Sequence, residues 1–339
     1  MSEIKTHCFT HSSGEDIYLF TLSNLKGTKV RITNYGGIIT SFNVMVQDGS
    51  SINIVLGFDK VEDYFSEQYV QANPFFGAAI GRYGNRIKDG RFSIDDKEYI
   101  LQKNIGPDHL HGGFSGFDKK IWTVDSFSGN SLLLKYISHD GEEGYPGNLA
   151  VSLRFDLNDE NELSYEYMAI TDQPTAVNLT HHSYFNLDKD KKNIGDHHVS
   201  IHAANILEQD NNLTVTGKII PVENTMYDFR ESRPVNKNWD PAIGYDQSFV
   251  VDETDQGLPV AEACSTESGI KLQLYTTEPI VHLYTGKSIP ELNGYGRFKG
   301  FCLETQVHPN AINIPHFPNT ILRPGNIYHH KTIYKVLSL

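Results

Sequence analysis

Short apolar stretches separated by turn residues run along most of the chain. The turns carry Asp-Gly, Asn-Asp, Asp-Asp and Ser-Gly-Asn, and the stretches between them are rich in Val, Ile, Phe, Tyr and Thr. This spacing predicts antiparallel strands joined by hairpins, and so a β-sandwich or β-barrel. The clearest predicted strands are residues 29–33, 51–56, 91–94, 132–137, 150–157 and 163–170.

Helical signals are sparse. One short helix is predicted after Asp59, which would be its N-cap, with Glu62 three residues later. The charged segment 188–198 predicts an exposed loop. Two adjacent histidine pairs next to charged or turn residues are predicted at the surface: His197 with His198, and His329 with His330. No linker or low-complexity block divides the chain, so we expect one domain spanning residues 1–339.

The segment from Val177 to Leu187 alternates in character. As a strand it would present one mostly apolar face, with Val177, Leu179, His181, Ser183, Phe185 and Leu187. The opposite face would carry Asn178, Thr180, His182, Tyr184 and Asn186. That face bears no Lys, Glu or Asp, so it is not typical of a strand face exposed to solvent. The pattern predicts that this face forms one wall of a polar pocket with His182 at its centre. His181, on the opposite face, is predicted to pack in the core. The alternative for His182 is a hydrogen-bonded histidine of the core.

A second strand, from Gly300 to Val307, carries a lone carboxylate. Alternation places Phe301, Leu303, Thr305 and Val307 on one face, and Cys302, Glu304 and Gln306 on the other. A glutamate flanked by Cys302 and Leu303 is unusual, although a solvated glutamate on an edge strand is the alternative. A histidine and a glutamate on two polar-faced strands suit general acid–base catalysis.

Three further segments carry candidate groups. Asn85 and Arg86 follow a glycine-rich stretch and offer hydrogen-bond donors. His109 and His111 would share one strand face, which raises the possibility of a cupin-like metal site. No matching Glu and third His follow at short distance, so we expect no bound metal. Asp246 lies between aromatic residues, where a turn aspartate is the ordinary explanation.

Composition narrows the possible partners. The formal net charge is −13, which disfavours nucleic acid and anionic membrane surfaces. No stretch is long and apolar enough to span a bilayer, and the first eight residues lack the apolar core of a secretion signal. The three cysteines are scattered, which favours a reduced, cytoplasmic protein. Nucleotide-binding and serine-hydrolase motifs are absent, so we expect no cofactor.

Several segments taken in order resemble the aldose 1-epimerase (galactose mutarotase) family over nearly the whole chain. They are Asn-Arg-Ile at 85–87, Leu-His-Gly-Gly at 110–113, Gly-Phe-Asp-Lys at 116–119, Asp-Gly-Glu-Glu-Gly-Tyr-Pro-Gly at 140–147, Asn-Leu-Thr-His-His-Ser-Tyr-Phe-Asn-Leu at 178–187, Tyr-Thr-Thr-Glu-Pro at 275–279, Tyr-Thr-Gly at 284–286 and Phe-Cys-Leu-Glu-Thr-Gln at 301–306. The resemblance implies an all-β fold: a large antiparallel β-sandwich with few short helices.

The resemblance also implies residue roles. Glu304 falls at the family's general base and His182 at its general acid. The positions implied to bind sugar hydroxyls and the ring oxygen are Asn85, Arg86, His111 and Asp246. Tyr184, on the polar strand face, and His282 are expected beside the sugar. Two residues depart from the family pattern, because many members have His where this chain has Gln247, and Gln where it has His282; we expect both to lie near the sugar.

The implied reaction interconverts the α and β anomers of a hexopyranose, galactose and also glucose, by opening the ring. Ionised Glu304 would take the anomeric proton while protonated His182 donates to the ring oxygen. One alternative is a hexose-phosphate mutarotase with an anion site at Arg82, Arg86 and Arg91. Another is a non-catalytic sugar-binding sandwich with Trp122 as an aromatic platform. The expected partner is thus a small sugar, and the expected state is a monomer or homodimer.

Overall fold

The computed structural model describes residues 4–251 and 257–338. The rest of the predicted 1–339 unit, at 1–3, 252–256 and 339, lies outside the described residues. The strands in chain order are β1 (Ile4–Thr10), β2 (Asp16–Ser23), β3 (Lys29–Thr33), β4 (Ile39–Met45), β5 (Ser51–Asn53), β6 (Ala79–Ile80), β7 (Arg86–Ile87), β8 (Arg91–Ile94), β9 (Lys97–Ile100), β10 (His109–Leu110), β11 (Thr123–Phe127), β12 (Ser131–Ser138), β13 (Leu149–Leu157), β14 (Glu162–Thr171), β15 (Thr175–Ala176), β16 (Thr180–His181), β17 (Tyr184–Phe185), β18 (His198–Ile201), β19 (Asn205–Gln209), β20 (Val215–Pro221), β21 (Arg233–Pro234), β22 (Asp246–Val250), β23 (Ala261–Cys264), β24 (Ile270–Thr276), β25 (Ile280–Tyr284), β26 (Phe301–Gln306), β27 (Ile321–Leu322) and β28 (Tyr328–Ser338).

Helices are few and short, as predicted. The α-helix is α1 (Glu67–Ala72), and the 3₁₀ helices are Val61–Phe65, Lys88–Gly90, Phe117–Lys119, Glu142–Gly144, Ile194–Asp196 and Ala311–Asn313. The helix predicted after Asp59 is the first of these 3₁₀ helices, and its cap position, Lys60, makes no side-chain capping bond. A side chain that does cap a helix nearby is that of Ser66, which accepts from the backbone N–H of Tyr69 in α1. Among the described residues, no helix is long and apolar enough to cross a membrane.

Three antiparallel sheets form the body of the fold. Their strand orders are β1-β2-β3-β4-β5, β11-β12-β13-β14-β28-β24-β23-β18-β21, and β17-β26-β25-β22-β19-β20. Apolar side chains from all three meet in a shared core, for example Phe20 of β2, Leu153 of β13 and Leu303 of β26. The predicted all-β, antiparallel sandwich is confirmed. Five of the six predicted strands are present, and the sixth, at 51–56, ends early at Asn53.

The segment from Val177 to Leu187 is not one strand. It contributes two short strands, β16 and β17, which pair with β6 and β26 respectively. The segment is buried throughout, so its backbone groups need partners on several neighbouring segments, and it bends to reach them. The predicted separation of the histidine pair holds, because the ring of His181 packs against Phe155 and Tyr165 in the core.

The segment 188–198, predicted to be an exposed loop, is exposed at some positions and buried at others, and side-chain hydrogen bonds attach it to the rest of the protein. Asp188 is buried and accepts a hydrogen bond from Ser265. Lys191 donates to the backbone carbonyls of Asn53, Asn186 and Asp188. The prediction of a surface position for His197 is wrong, since this ring is buried and accepts the backbone N–H of Leu187 at 3.0 Å. Buried backbone N–H and C=O groups need hydrogen-bond partners, and side chains of this segment supply them, which holds the segment against the core despite its charged sequence.

The surface prediction is also wrong for His330, which is fully buried on the inner face of β28. Its Nδ1 donates to the carbonyl of Leu179 at 3.0 Å, and Nε2 meets the hydroxyls of Thr305 and Thr332. Its neighbour His329 points the other way and pairs with Glu166 at 2.6 Å. Alternation along β28 therefore separates the pair, and burial lowers the pKa of His330 to about 3.

Buried His330 should make the protein lose stability in mild acid. In the unfolded chain His330 is protonated below about pH 6.5, whereas in the folded protein it stays neutral down to about pH 3. Between these values this group lowers the free energy of unfolding by roughly 1.4 kcal/mol for each unit by which the pH falls. We expect His330→Asn, which keeps a donor for Leu179, to show a shallower loss in urea unfolding between about pH 6.5 and 5. His329→Asn is the matched control and should not flatten the loss; an equal slope in His330→Asn and wild type would contradict this account.

Candidate active site

One cavity of about 730 Å³ gathers the eight residues predicted to catalyse the reaction or bind the sugar. Its lining includes Asn85, Arg86, His111, His182, Tyr184, Asp246, His282 and Glu304. The cavity opens on one face of the sheet that contains β17, β26, β25 and β22, and the loops around α1 and β10 close its sides.

Strand register explains why residues so far apart in sequence meet. In antiparallel strands, residues directly opposite each other place their side chains on the same face. His282 of β25 lies opposite Glu304 of β26, and Tyr284 lies opposite both Cys302 and Asp246. Tyr184 of β17 in turn lies opposite Cys302. The four strands therefore direct one continuous set of polar and aromatic side chains into the cavity.

The same register shows that one expectation is wrong. Gln247 lies opposite Leu283 and so projects from the other face of the sheet. Its side-chain amide donates to the backbone carbonyl of Leu207, and the residue does not line the cavity. Of the two departures from the family pattern, only His282 lies in the cavity.

The two predicted catalytic groups face each other. Nε2 of His182 lies 3.6 Å from Oε1 of Glu304, and their side chains are 5% and 2% exposed. This separation is too long for a good hydrogen bond. The other carboxylate oxygen, Oε2, is buried and has no protein partner among the described residues. Nε2 of His182 and the carboxylate of Glu304 can therefore both bind a ligand that enters the cavity.

Aromatic rings hold His182 in place. Its ring centroid lies 4.9 Å from that of Tyr184 and 5.7 Å from that of Phe75, and Phe75 also packs against His111 at 4.9 Å. Sequence reasoning missed Phe75, which follows α1 in a loop whose Asn-Pro-Phe-Phe sequence carries no catalytic signal. The packing restricts ring rotation, so the direction in which each nitrogen points is fixed.

His111 is a neutral donor. The backbone N–H of Asn85 donates to its Nδ1 at 3.2 Å, so the ring proton is on Nε2. Burial, followed by the nearby charges of His182, Arg86 and His282, holds the pKa of His111 well below its usual value. An N–H donor that stays neutral is suited to bind sugar oxygens.

His111, His182 and Glu304 also have the composition of a metal site, with ligand atoms all within 4.8 Å of one another. A metal ligand nitrogen must offer a free lone pair. His111 has none to offer, since Nδ1 is taken by Asn85 and Nε2 carries the proton. Its predicted partner, His109, uses both ring nitrogens elsewhere, on the carbonyl of Gln102 and the hydroxyl of Tyr145. The donor set does not fit a metal.

A chain of hydrogen bonds runs along the adjacent wall. Nε2 of His282 donates to Asp246 at 3.0 Å, and Nδ1 contacts the hydroxyl of Ser248 at 2.9 Å. Burial alone would raise the pKa of Asp246, but the bond from His282 and the charges of His282, Arg86 and Lys287 outweigh burial and lower it. Asp246, which looked like an isolated turn residue in the sequence, is an ionised acceptor in a fixed position.

The residues that supported the alternatives do not converge here. Arg82 is buried elsewhere, where it binds the hydroxyl and carbonyl of Ser138. Arg91 is exposed and pairs with Glu98 at 3.6 Å. Trp122 is fully buried and so offers no platform to a ligand. Only Arg86 of the predicted cationic cluster lines the cavity.

The chain matches known proteins over nearly its whole length. The model of the family described as aldose 1-epimerase matches residues 18–335. The chain is 42% identical to the galactose mutarotase of Bos taurus over 316 residues, covering 91% of this chain and 90% of that protein. It is 31% identical to the aldose 1-epimerase of Escherichia coli K12 over 339 residues, covering 96% of each.

Solved structures show the same fold. The aldose epimerase homologue of C. elegans superposes with a TM-score of 0.88 at 27% identity, covering 95% of this chain and 99% of that one. The galactose 1-epimerase of Lactobacillus acidophilus NCFM gives 0.86 at 26% identity, covering 99% and 98%. Sequence and fold thus agree over nearly the whole length, and the chain belongs to the aldose 1-epimerase family of isomerases.

Proposed function

We propose that the protein interconverts the α and β anomers of galactose, and also of glucose, with Glu304 as general base and His182 as general acid. The observation that carries this proposal is the pair itself: two buried groups 3.6 Å apart, unbonded to each other, at a polar cavity. The two oxygens of an anomeric centre are bonded to one carbon, so neighbouring groups can reach one each. The relatives named galactose mutarotase and aldose 1-epimerase support the same reaction.

The reaction opens and recloses the ring. Ionised Glu304 takes the proton of the anomeric hydroxyl, the bond between C1 and the ring oxygen breaks, and protonated His182 gives its Nε2 proton to that oxygen. The open aldehyde turns about its C1–C2 bond. Closure reverses the roles, so that His182 takes the proton back and Glu304 returns its own. Charge is conserved, and each proton transfer contributes roughly 10²–10⁴-fold to the rate.

The other cavity residues would position the sugar. The neutral N–H of His111 and the guanidinium of Arg86 are donors, and ionised Asp246, held by His282, is an acceptor for sugar hydroxyls. Asn85 and Tyr184 complete the lining. Donors on one side and an acceptor on the other can orient a neutral polyol. The paired acid and base favour this enzyme over a non-catalytic sugar-binding sandwich.

We also propose that the chain works as one unit and in the cytoplasm. Strand β28, near the end of the chain, pairs with both β14 and β24, so the last strand completes the middle of the largest sheet. Cys8, Cys264 and Cys302 are free, which suits a reducing compartment.

Removing either catalytic group should abolish most of the activity. We expect Glu304→Gln and His182→Asn each to lower kcat by roughly 10²–10⁴-fold, because each loses one proton transfer. The measurement is polarimetry of freshly dissolved α-D-galactose, corrected for the spontaneous rate. Circular dichroism should show both variants folded, and Glu98→Gln, the same change at an exposed position outside the cavity, serves as the control. Near wild-type rates in Glu304→Gln would overturn the assignment.

The rate should depend on pH in a bell shape. Glu304 must be ionised to take a proton, so acidification should slow the reaction; His182 must be protonated to give one, so alkalinisation should slow it as well. The profile of kcat for galactose measures this directly. A profile that stays flat where histidines titrate would exclude His182 as the acid.

Free hexoses should be better substrates than a hexose phosphate. Arg82 and Arg91 lie away from the cavity, so the predicted arginine cluster does not form there. Of the cationic side chains that line the cavity, Lys119 pairs with Asp118, and Arg86 and Lys287 lie near the charge of Asp246. We expect galactose and glucose to outpace glucose 6-phosphate in kcat/KM. Arg86→Ala should raise KM for galactose, whereas Arg91→Ala is the matched control and should not. A preference for glucose 6-phosphate would support the hexose-phosphate alternative instead.

A further inference from the structure

Cys302 makes the only hydrogen-bond contact to the Nδ1 atom of His182 found among the described residues. Its sulfur lies 3.4 Å from Nδ1, and both residues are buried. The two are held together by the sheet, because Cys302 pairs directly with Tyr184, two residues after His182. The contact lies on the opposite side of the imidazole from Nε2, the atom that faces Glu304.

The sulfur is a thiol rather than a thiolate. Burial, followed by the negative charges of Glu304 and Asp246, raises the pKa of Cys302 well above its usual value. A thiolate–imidazolium pair of the kind that makes cysteine nucleophilic is therefore disfavoured. A thiol sulfur is still a weak hydrogen-bond acceptor, and an imidazolium with a buried Nδ1–H needs one.

We propose that Cys302 is a positioning residue for His182, whose Nδ1–H it accepts throughout the catalytic cycle. This inference rests on the proposed function, in which Nε2 gives a proton on ring opening and takes it back on closure. Nε2 can take the proton back only if the neutral ring keeps its other proton on Nδ1. With the sulfur as acceptor of Nδ1–H, the neutral ring holds the tautomer that the return step needs.

A sulfur partner also differs from the carboxylate that accompanies many catalytic histidines. A carboxylate would stabilise the imidazolium strongly and make it a weaker acid. A thiol stabilises it only slightly, so the proton stays available for a ring oxygen, which is a poor base. The charged form is then held mainly by Glu304 at 3.6 Å, the group that must itself be ionised for the reaction to start.

The titratable groups around His182 come from several elements. They are Glu304 and Cys302 on β26, His111 after β10, Tyr184 on β17 and Tyr284 on β25. His111 is neutral, and burial raises the pKa of Tyr184 well above its usual value and that of Tyr284 to about 12. Glu304 is thus the charged neighbour, and Cys302 the neutral one, that set how easily His182 gains a proton.

The test compares Cys302→Ala with wild type. Without the acceptor, the imidazolium has an unsatisfied buried N–H, so His182 should lose its proton at lower pH, by about half a unit to one unit. The same shift should appear in the alkaline limb of the kcat profile and in the titration of His182 by ¹⁵N NMR without sugar. We also expect kcat to fall by roughly 10-fold or more, with KM for galactose nearly unchanged.

Cys264→Ala is the matched control, since Cys264 is a free, half-buried cysteine of β23 in another sheet, and it should leave both readouts unchanged. If Cys302→Ala fails to fold, Cys302→Ser supplies a second variant; its hydroxyl is a better acceptor than a thiol, so His182 should titrate at the wild-type pH or above it, and a shift to lower pH would overturn the proposal. Loss of rate with no shift in the His182 titration would overturn the proposal and leave Cys302 a packing residue. The NMR readout needs no turnover, so absence of mutarotase activity would count against the proposed function alone.

Discussion

The site depends on the hydrogen-bond register of four neighbouring strands. Because β25 pairs with β26 so that His282 lies opposite Glu304, and β17 pairs with β26 so that Tyr184 lies opposite Cys302, the proposed acid, base and sugar-positioning groups line one cavity. A slip of one residue would turn Glu304 into the core and Leu303 into the cavity. The register is protected by the apolar faces of the same strands, whose side chains belong to the main core.

Burial then gives this face its chemistry. Away from water, charges interact more strongly and unpaired polar atoms are costly, so each group must be paired or kept for the substrate. His111 is kept neutral by its surroundings and by the N–H of Asn85, whereas Asp246 is kept ionised by His282. Among the described residues, Oε2 of Glu304 and both side-chain polar atoms of Gln306 on the same face have no protein partner, and Oε2 lies where the proposed reaction needs a base.

Much of this could be predicted from local sequence pattern. Alternation along 300–307 correctly separated Glu304 from Leu303, and alternation at 181–182 separated the two histidines, because side-chain direction in extended chain depends only on neighbouring residues. What failed depended on distant partners. Nothing near His330 reveals Thr305, and nothing near Arg82 reveals Ser138. The bends within 177–187 likewise follow from strands far away in sequence. Gln247 was misplaced because family position alone does not tell which face of a strand a residue occupies.

The central claim is that Glu304 and His182 act as one unit, because each proton transfer is productive only with the other. A double-mutant cycle in galactose mutarotation tests this most directly, with Glu304→Gln, His182→Asn and the combined variant measured by polarimetry. If the two residues act as one unit, the combined variant should be about as slow as the slower single variant. Losses that multiply across the two substitutions would show two independent contributions and contradict it.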